Sequence, residues 1–248
     1  MERRRSAPRL AGLLACAVAP AMLLAGCTGS SSGGSTDATG SGTGGSASPT
    51  LAPERFGTLP APCSTVTKAT VTAVVPKAKN ADGTAAESSD ISVRAGCSWT
   101  GNGSDGYQYR WLSVTLQRFT SSTALGAAED QAKKQYTDQV ATLGAAKGFT
   151  TAAVTGVGDQ ASSVSGKATV SDVTSQNDTV VARTGNIVLI VEYNGAGLEG
   201  KKDPTATTVN GDAQRAAKDV VAALAAASPS PSGTSSSATP SGTGSLNG

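Results

Sequence analysis

The stretch Thr184-Gly185-Asn186-Ile187-Val188-Leu189-Ile190-Val191-Glu192-Tyr193 decides the fold. Residues 187–191 are an unbroken aliphatic run, so an extended segment there is apolar on both faces, which marks a central strand covered from both sides. The Gly-Asn pair just upstream is a tight-turn signal, and it folds this strand back on residues 179–183 as a hairpin. Earlier in the chain, strands are expected at 167–173 and, shorter, at 150–155, with a turn at Gly156-Val157-Gly158-Asp159 between them. Residues 91–99 and 107–119 read as two more strands, joined by Gly101-Asn102-Gly103-Ser104-Asp105-Gly106. In the second of these, Leu112, Val114 and Leu116 alternate onto one face.

Helical spacing appears three times. After Pro62-Cys63-Ser64, residues 65–75 are rich in Val and Thr and lean toward strand by propensity. The spacing of Val66, Ala69 and Ala73, and the stop at Pro76, favour a helix. Residues 77–90 read as loop. Residues 121–143 carry Leu125, Ala128, Ala132, Tyr136, Val140 and Leu143 along one stripe, with Glu129–Lys133 and Asp130–Lys134 spaced to pair opposite it, and Gly144 as the stop. Asp212 reads as the cap of a final helix striped by Ala213, Ala217, Val220, Leu224 and Ala227. Hairpin strands with helices laid on them give an α+β class: a single domain with a mainly antiparallel sheet packed by two or three helices.

The composition sets the limits of that domain. All nine Phe, Trp and Tyr residues lie between Phe56 and Tyr193, and the aliphatics beyond residue 26 concentrate between about 59 and 224. The domain is therefore expected at 59–227, enough chain to close its own core. Residues 28–50 are almost entirely Gly, Ser and Thr, and 228–248 almost entirely Ser, Pro, Gly and Thr. Such segments bury too little apolar surface to offset ordering entropy, so both flanks are expected to be disordered. The linker at 27–58 would then be a Gly/Ser coil with a reach of roughly 30 Å.

Arg3, Arg4, Arg5 and Arg9 precede an apolar run at 10–25 that is short for a membrane span, so residues 1–26 read as an export signal. The run ends Leu24-Ala25-Gly26-Cys27, which resembles the lipobox of bacterial lipoproteins. That resemblance implies diacylation of Cys27, cleavage before it, and tethering to the outer face of the cell membrane, since two acyl chains anchor stably. Cleavage would remove Glu2 and four Arg, taking the formal charge from +2 to about −1. A near-neutral chain lacks the basic stripe that nucleic-acid binding draws on, so no nucleic-acid partner is expected. The lipid bilayer, reached through Cys27, is the one partner the sequence names; beyond it lies an unidentified envelope ligand or protein.

Of the four cysteines, Cys16 leaves with the signal and Cys27 takes the lipid. Cys63 and Cys97 remain as an even pair in an oxidising compartment, and a disulfide between them is expected. No C-x-x-C spacing or additional ligand set marks them as a redox or metal site. The chain contains no His, which removes His bases, His triads and His-containing metal sites. Gly29-Ser30-Ser31-Ser32-Gly33 matches G-x-S-x-G without a flanking strand or helix. Arg183-Thr184-Gly185 is similar to K-T-G, but no S-x-x-K accompanies it. Gly156-Val157-Gly158-Asp159-Gln160-Ala161 approximates a dinucleotide fingerprint but sits in no βαβ unit, so it reads as a loop whose glycines take positive φ. Asp82, Glu87, Asp90, Glu129, Asp130, Asp159, Asp172, Asp178 and Glu192 lack calcium-loop spacing, although two carboxylates close only in space remain open as a glycosidase pair. No cofactor or metal is expected, and the reading is of a non-enzyme.

Tyr107, Tyr109 and Trp111 alternate along one strand, opposite Leu112, Val114 and Leu116. Exposed, they form a stacking platform for a sugar or another ring-bearing wall component. The doubly apolar strand at 187–191 instead favours a helix covering them, and solvent exposure of the rings decides between the two.

Pro62-Cys63 opening a helix, Gly96-Cys97-Ser98-Trp99 ending a strand, and Gly156-Val157-Gly158-Asp159-Gln160-Ala161 in mid-domain all stand behind a lipobox and a low-complexity linker. Together they resemble the actinobacterial exported lipoproteins of domain-of-unknown-function family 3558. The resemblance covers roughly residues 59–227 and implies a PsbP/Mog1-like α+β outline, with no activity attached. The functional expectation is a membrane-tethered, non-catalytic ligand-binding or sensor-type module at the cell surface; the alternative is a structural or assembly factor of the envelope acting through protein contacts.

Overall fold

The computed structural model describes residues 51–102, 108–170, 172–197 and 202–228. The expected signal segment, Cys27, the linker to residue 50, Tyr107 and the tail beyond Ser228 lie outside the described residues.

Among the described residues, seven strands form one antiparallel sheet: β1 (Thr84–Ala85), β2 (Arg94–Asn102), β3 (Gln108–Arg118), β4 (Phe149–Ala153), β5 (Gln160–Val170), β6 (Val173–Thr184) and β7 (Ile187–Gly197). Three helices accompany it: α1 (Lys68–Val74), α2 (Ala128–Gly144) and α3 (Ala206–Ala227). The class is α+β. The spatial order is β1-β2-β3-β7-β6-β5-β4, which puts β7 in the middle of the sheet, where its aliphatic run demanded. Gly185 takes φ +54° in the two-residue β6–β7 turn, as a type II′ turn requires at its first central position.

Register distributes the side chains. Leu112, Val114 and Leu116 stand opposite Tyr193, Val191 and Leu189, and Val180 and Ala182 stand opposite Val191 and Leu189. All of these point to the face covered by α1 and α3, where Val209, Ala213, Ala216, Ala217, Val220 and Leu224 form the helical side of the core. Each large aliphatic sealed there contributes roughly 1.5–3 kcal/mol, which makes this the dominant core. The opposite face is thinner: Ala132 of α2 packs on Val181 and Val188, with Tyr136, Val140, Leu143 and Ile190 partly covered around them.

The Cys63–Cys97 disulfide is present, with its Cα atoms 5.1 Å apart. It ties the 3₁₀ turn Pro62–Ser64 to β2 across the polar loop. Gly83, at φ +80°, lies directly on this bridge, where a Cβ would collide with Cys97 Sγ and meet the Trp99 ring at 2.7 Å.

The structure corrects several boundaries. Residues 54–56 fall within the expected linker, yet Phe56 is buried in the core and Glu54 accepts from Arg118 (3.2 Å) and from the Ser121 amide (2.7 Å). Ile91 is exposed, and β2 starts only at Arg94. A two-residue strand, β1, interrupts the expected 77–90 loop. Helix α2 starts at Ala128, because Ser122 and Gly126 bridge in a turn with Gly126 at φ +82°, and this leaves Leu125 exposed. The α2 ion pairs are Lys133–Asp130 and Lys134–Asp138, not the expected Glu129–Lys133 and Asp130–Lys134. Helix α3 starts six residues ahead of Asp212, capped by the Thr205 hydroxyl on the Thr208 amide (3.1 Å). Burial of Val209 there overrides the weak helix propensity of the Thr, Asn and Gly in its first turns.

Candidate functional site

Among the described residues, helix α2 packs over β4, β5, β6 and β7, and Tyr109 and Trp111 on the same face of β3 stay exposed. The expected helical cover over the aromatic strand is therefore corrected: Tyr109 and Trp111 are each 50% exposed. The reason lies in α2 itself. Its sheet-facing stripe is short and built on Ala132, enough to cap Val181 and Val188 but not to span the remaining strands. Trp99 of β2, by contrast, is 2% exposed and belongs to the α1/α3 core.

Beside the exposed indole, the sheet surface dips into a groove of about 220 Å³, bordered by the buried Asp178 and Tyr193 and lined on the open face by Trp111, Ser113, Asn177, Thr179, Glu192 and Asn194. Pairing arranges these in two rows across β3, β7 and β6. Trp111 stands opposite Asn194, which stands opposite Asn177; Ser113 stands opposite Glu192, which stands opposite Thr179. The Ser113 hydroxyl donates to the Glu192 carboxylate at 2.8 Å, and the Asn177 amide donates to the Ser175 carbonyl (2.9 Å) and hydroxyl (3.0 Å). The sequence reading found Tyr109 and Trp111 but missed the polar members. The signal was present: they occupy every second position of β3, β6 and β7, out of phase with the core residues.

The other candidates resolve as structure. Asp178 is 1% exposed and alternates to the helix-covered face opposite Tyr193. One carboxylate oxygen accepts the Ser163 hydroxyl at 2.5 Å and the other has no hydrogen-bond partner. Burial pushes its carboxyl up to about 6, against the pull of the Ser163 hydroxyl. Glu192 is thus the exposed carboxylate among the lining residues; the other lining carboxylate, Asp178, is 1% exposed.

The Gly156–Ala161 loop is a clasp on the β6–β7 turn. Gly156 and Gly158 take φ +73° and +59°. The Asp159 carboxylate accepts from the Gly185 amide at 2.7 Å and pairs with Arg183 at 3.2 Å and Arg55 at 3.3 Å, while Gln160 accepts from Arg183 at 2.9 Å. Arg183-Thr184-Gly185 is the other half of the clasp. Among the described residues, no group of three or more Cys, Asp and Glu is placed to hold a metal, and no helix is long and apolar enough to cross a membrane.

No family model and no curated protein matches the chain. Among solved structures, the crystal structure of Ara h 8.0201 is similar at 12% identity, covering 68% of this chain and 93% of that one; with a TM-score of 0.20, it carries no argument about fold or function.

Proposed function

We propose that the chain is an extracytoplasmic lipoprotein of the actinobacterial type, held to the outer face of the cell membrane through Cys27, whose α+β domain is a non-catalytic ligand-binding module. The observation that supports it best is the bare half of the sheet, where Tyr109 and Trp111 stand half exposed above a polar groove. A ring-sized apolar surface next to convergent polar groups is what a binding site offers a small ligand. The Leu24-Ala25-Gly26-Cys27 sequence supports the anchor. Metabolic labelling with a fatty-acid analogue tests it: the natural chain takes the label, and Cys27→Ala is left unlabelled and uncleaved or is released into the medium. Equal labelling of the two contradicts the anchor.

A second reading, contact with an envelope protein, is favoured by a separate groove of about 370 Å³ lined by Leu59, Pro60, Pro62, Ala85, Ile91 and Ala95, in which Ile91 is 72% exposed. It lies across the disulfide end of the sheet and shares no lining residue with the Trp111 groove.

A further inference from the structure

The lining of the Trp111 groove points to one class of ligand, an inference that rests on the open sheet face being the ligand surface. The half-exposed indole is flat and apolar. Around it stand the hydroxyls of Ser113 and Thr179, the carboxamides of Asn177 and Asn194, and the carboxylate of Glu192. A partner that uses this whole set has one flat C–H face and a rim of groups that both donate and accept. A pyranose ring has that form. Its C–H face stacks on the indole, and its hydroxyls donate to the Glu192 carboxylate and exchange hydrogen bonds with the carboxamides, which both donate and accept.

Charge narrows the class. Glu192 is the only charged side chain with free exposure among the lining residues, and no Lys or Arg joins it, so sugars bearing phosphate or carboxylate are repelled and neutral rings are taken. An extended peptide is poorly served, because β3, β7 and β6 are each paired on both sides and offer no free edge for strand addition. The volume, about 220 Å³, falls below that of sites for drug-sized ligands and matches a single sugar unit of a longer chain. We infer that this groove binds a neutral pyranose unit of an envelope glycan, stacked on Trp111 and hydrogen-bonded at Glu192 and Asn194.

The two tryptophans make the test direct, since Trp111 is exposed and Trp99 is buried. The full-length lipoprotein in nanodiscs is titrated with tetrasaccharides of β-1,4-linked N-acetylglucosamine, α-1,4-linked glucose and α-1,6-linked mannose, and with tetralysine as a cationic peptide probe, while tryptophan emission is followed. A saturable change with at least one sugar is expected. Trp111→Ala should weaken binding at least about tenfold, measured by calorimetry, and Glu192→Ala and Asn194→Ala each about tenfold, with unchanged melting temperatures because these side chains lie at the surface. A response to tetralysine and to none of the sugars overturns the glycan inference and keeps the open face as the ligand surface. Sugar binding that survives all three substitutions, or silence to every probe, overturns the inference together with the reading beneath it.

Discussion

Asn186 is the residue on which the hairpin end of the domain depends. Its side chain is fully buried. Its oxygen accepts from the Phe56 amide at 2.9 Å, and its nitrogen donates to the Phe56 carbonyl at 2.9 Å and the Phe119 carbonyl at 2.8 Å. In sequence it reads only as half of a Gly-Asn turn, because the partners lie 130 and 67 positions away. Asn186→Ala orphans three backbone groups and should cost about 3 kcal/mol, measured by chemical denaturation. Asp178 makes a different prediction. Its carboxyl holds a proton up to about pH 6 in the fold, against an ordinary value of 3.8. Between those values the folded state binds more protons than the unfolded one. Stability therefore falls as pH rises from about 4 to 6 and stays lower above that, by roughly 3 kcal/mol at most. Asp178→Asn should flatten this slope in melts taken from pH 4 to 7.

Among the elements, the disulfide pins the Pro62–Ser64 turn to β2 across a loop whose only strand, β1, is two residues long. Cys63→Ala should cost a few kcal/mol within the 2–5 range typical of native bridges, with the domain still folded but melting earlier, because the bridge is one part of a core that the aliphatics of β3, β6, β7, α1 and α3 also build. The bridge was legible because two cysteines remained once the other two were assigned. So was β7, because residues 187–191 are apolar on both faces, and so were the alternating residues of β3. The start of α3 was not: Thr207, Thr208 and Gly211 are poor helix formers and stay exposed, and it is the burial of Val209 among them that makes the segment helical. The start of α2 was misread because Leu125 continues the helical spacing, whereas Gly126 turns the chain. Periodicity sees the stripe but not the residue that breaks it.

Over the whole molecule, the two sheet faces are unequal. One is sealed by α1 and α3. The other is sealed only as far as α2 reaches, and the exposed aromatics sit in the remainder. From sequence, the doubly apolar β7 argued for full cover, and that argument failed because Glu192 and Asn194, farther along the same strand, already turn the surface polar. The groove could not be read from any one segment, since its lining comes from three strands brought together by the β3–β7 and β6–β7 pairings. The described domain thus joins a packed core to an open aromatic and polar surface, and the proposed anchor would hold it above the membrane.

Hydroxyl-radical footprinting of the membrane-bound protein, with and without the glycan fraction of its own envelope, tests that surface most directly. The account predicts protection of Tyr109 and Trp111, with Ile91 and Leu59 labelled equally in both states. Protection confined to Ile91 and Leu59, with Tyr109 and Trp111 unchanged, would contradict it.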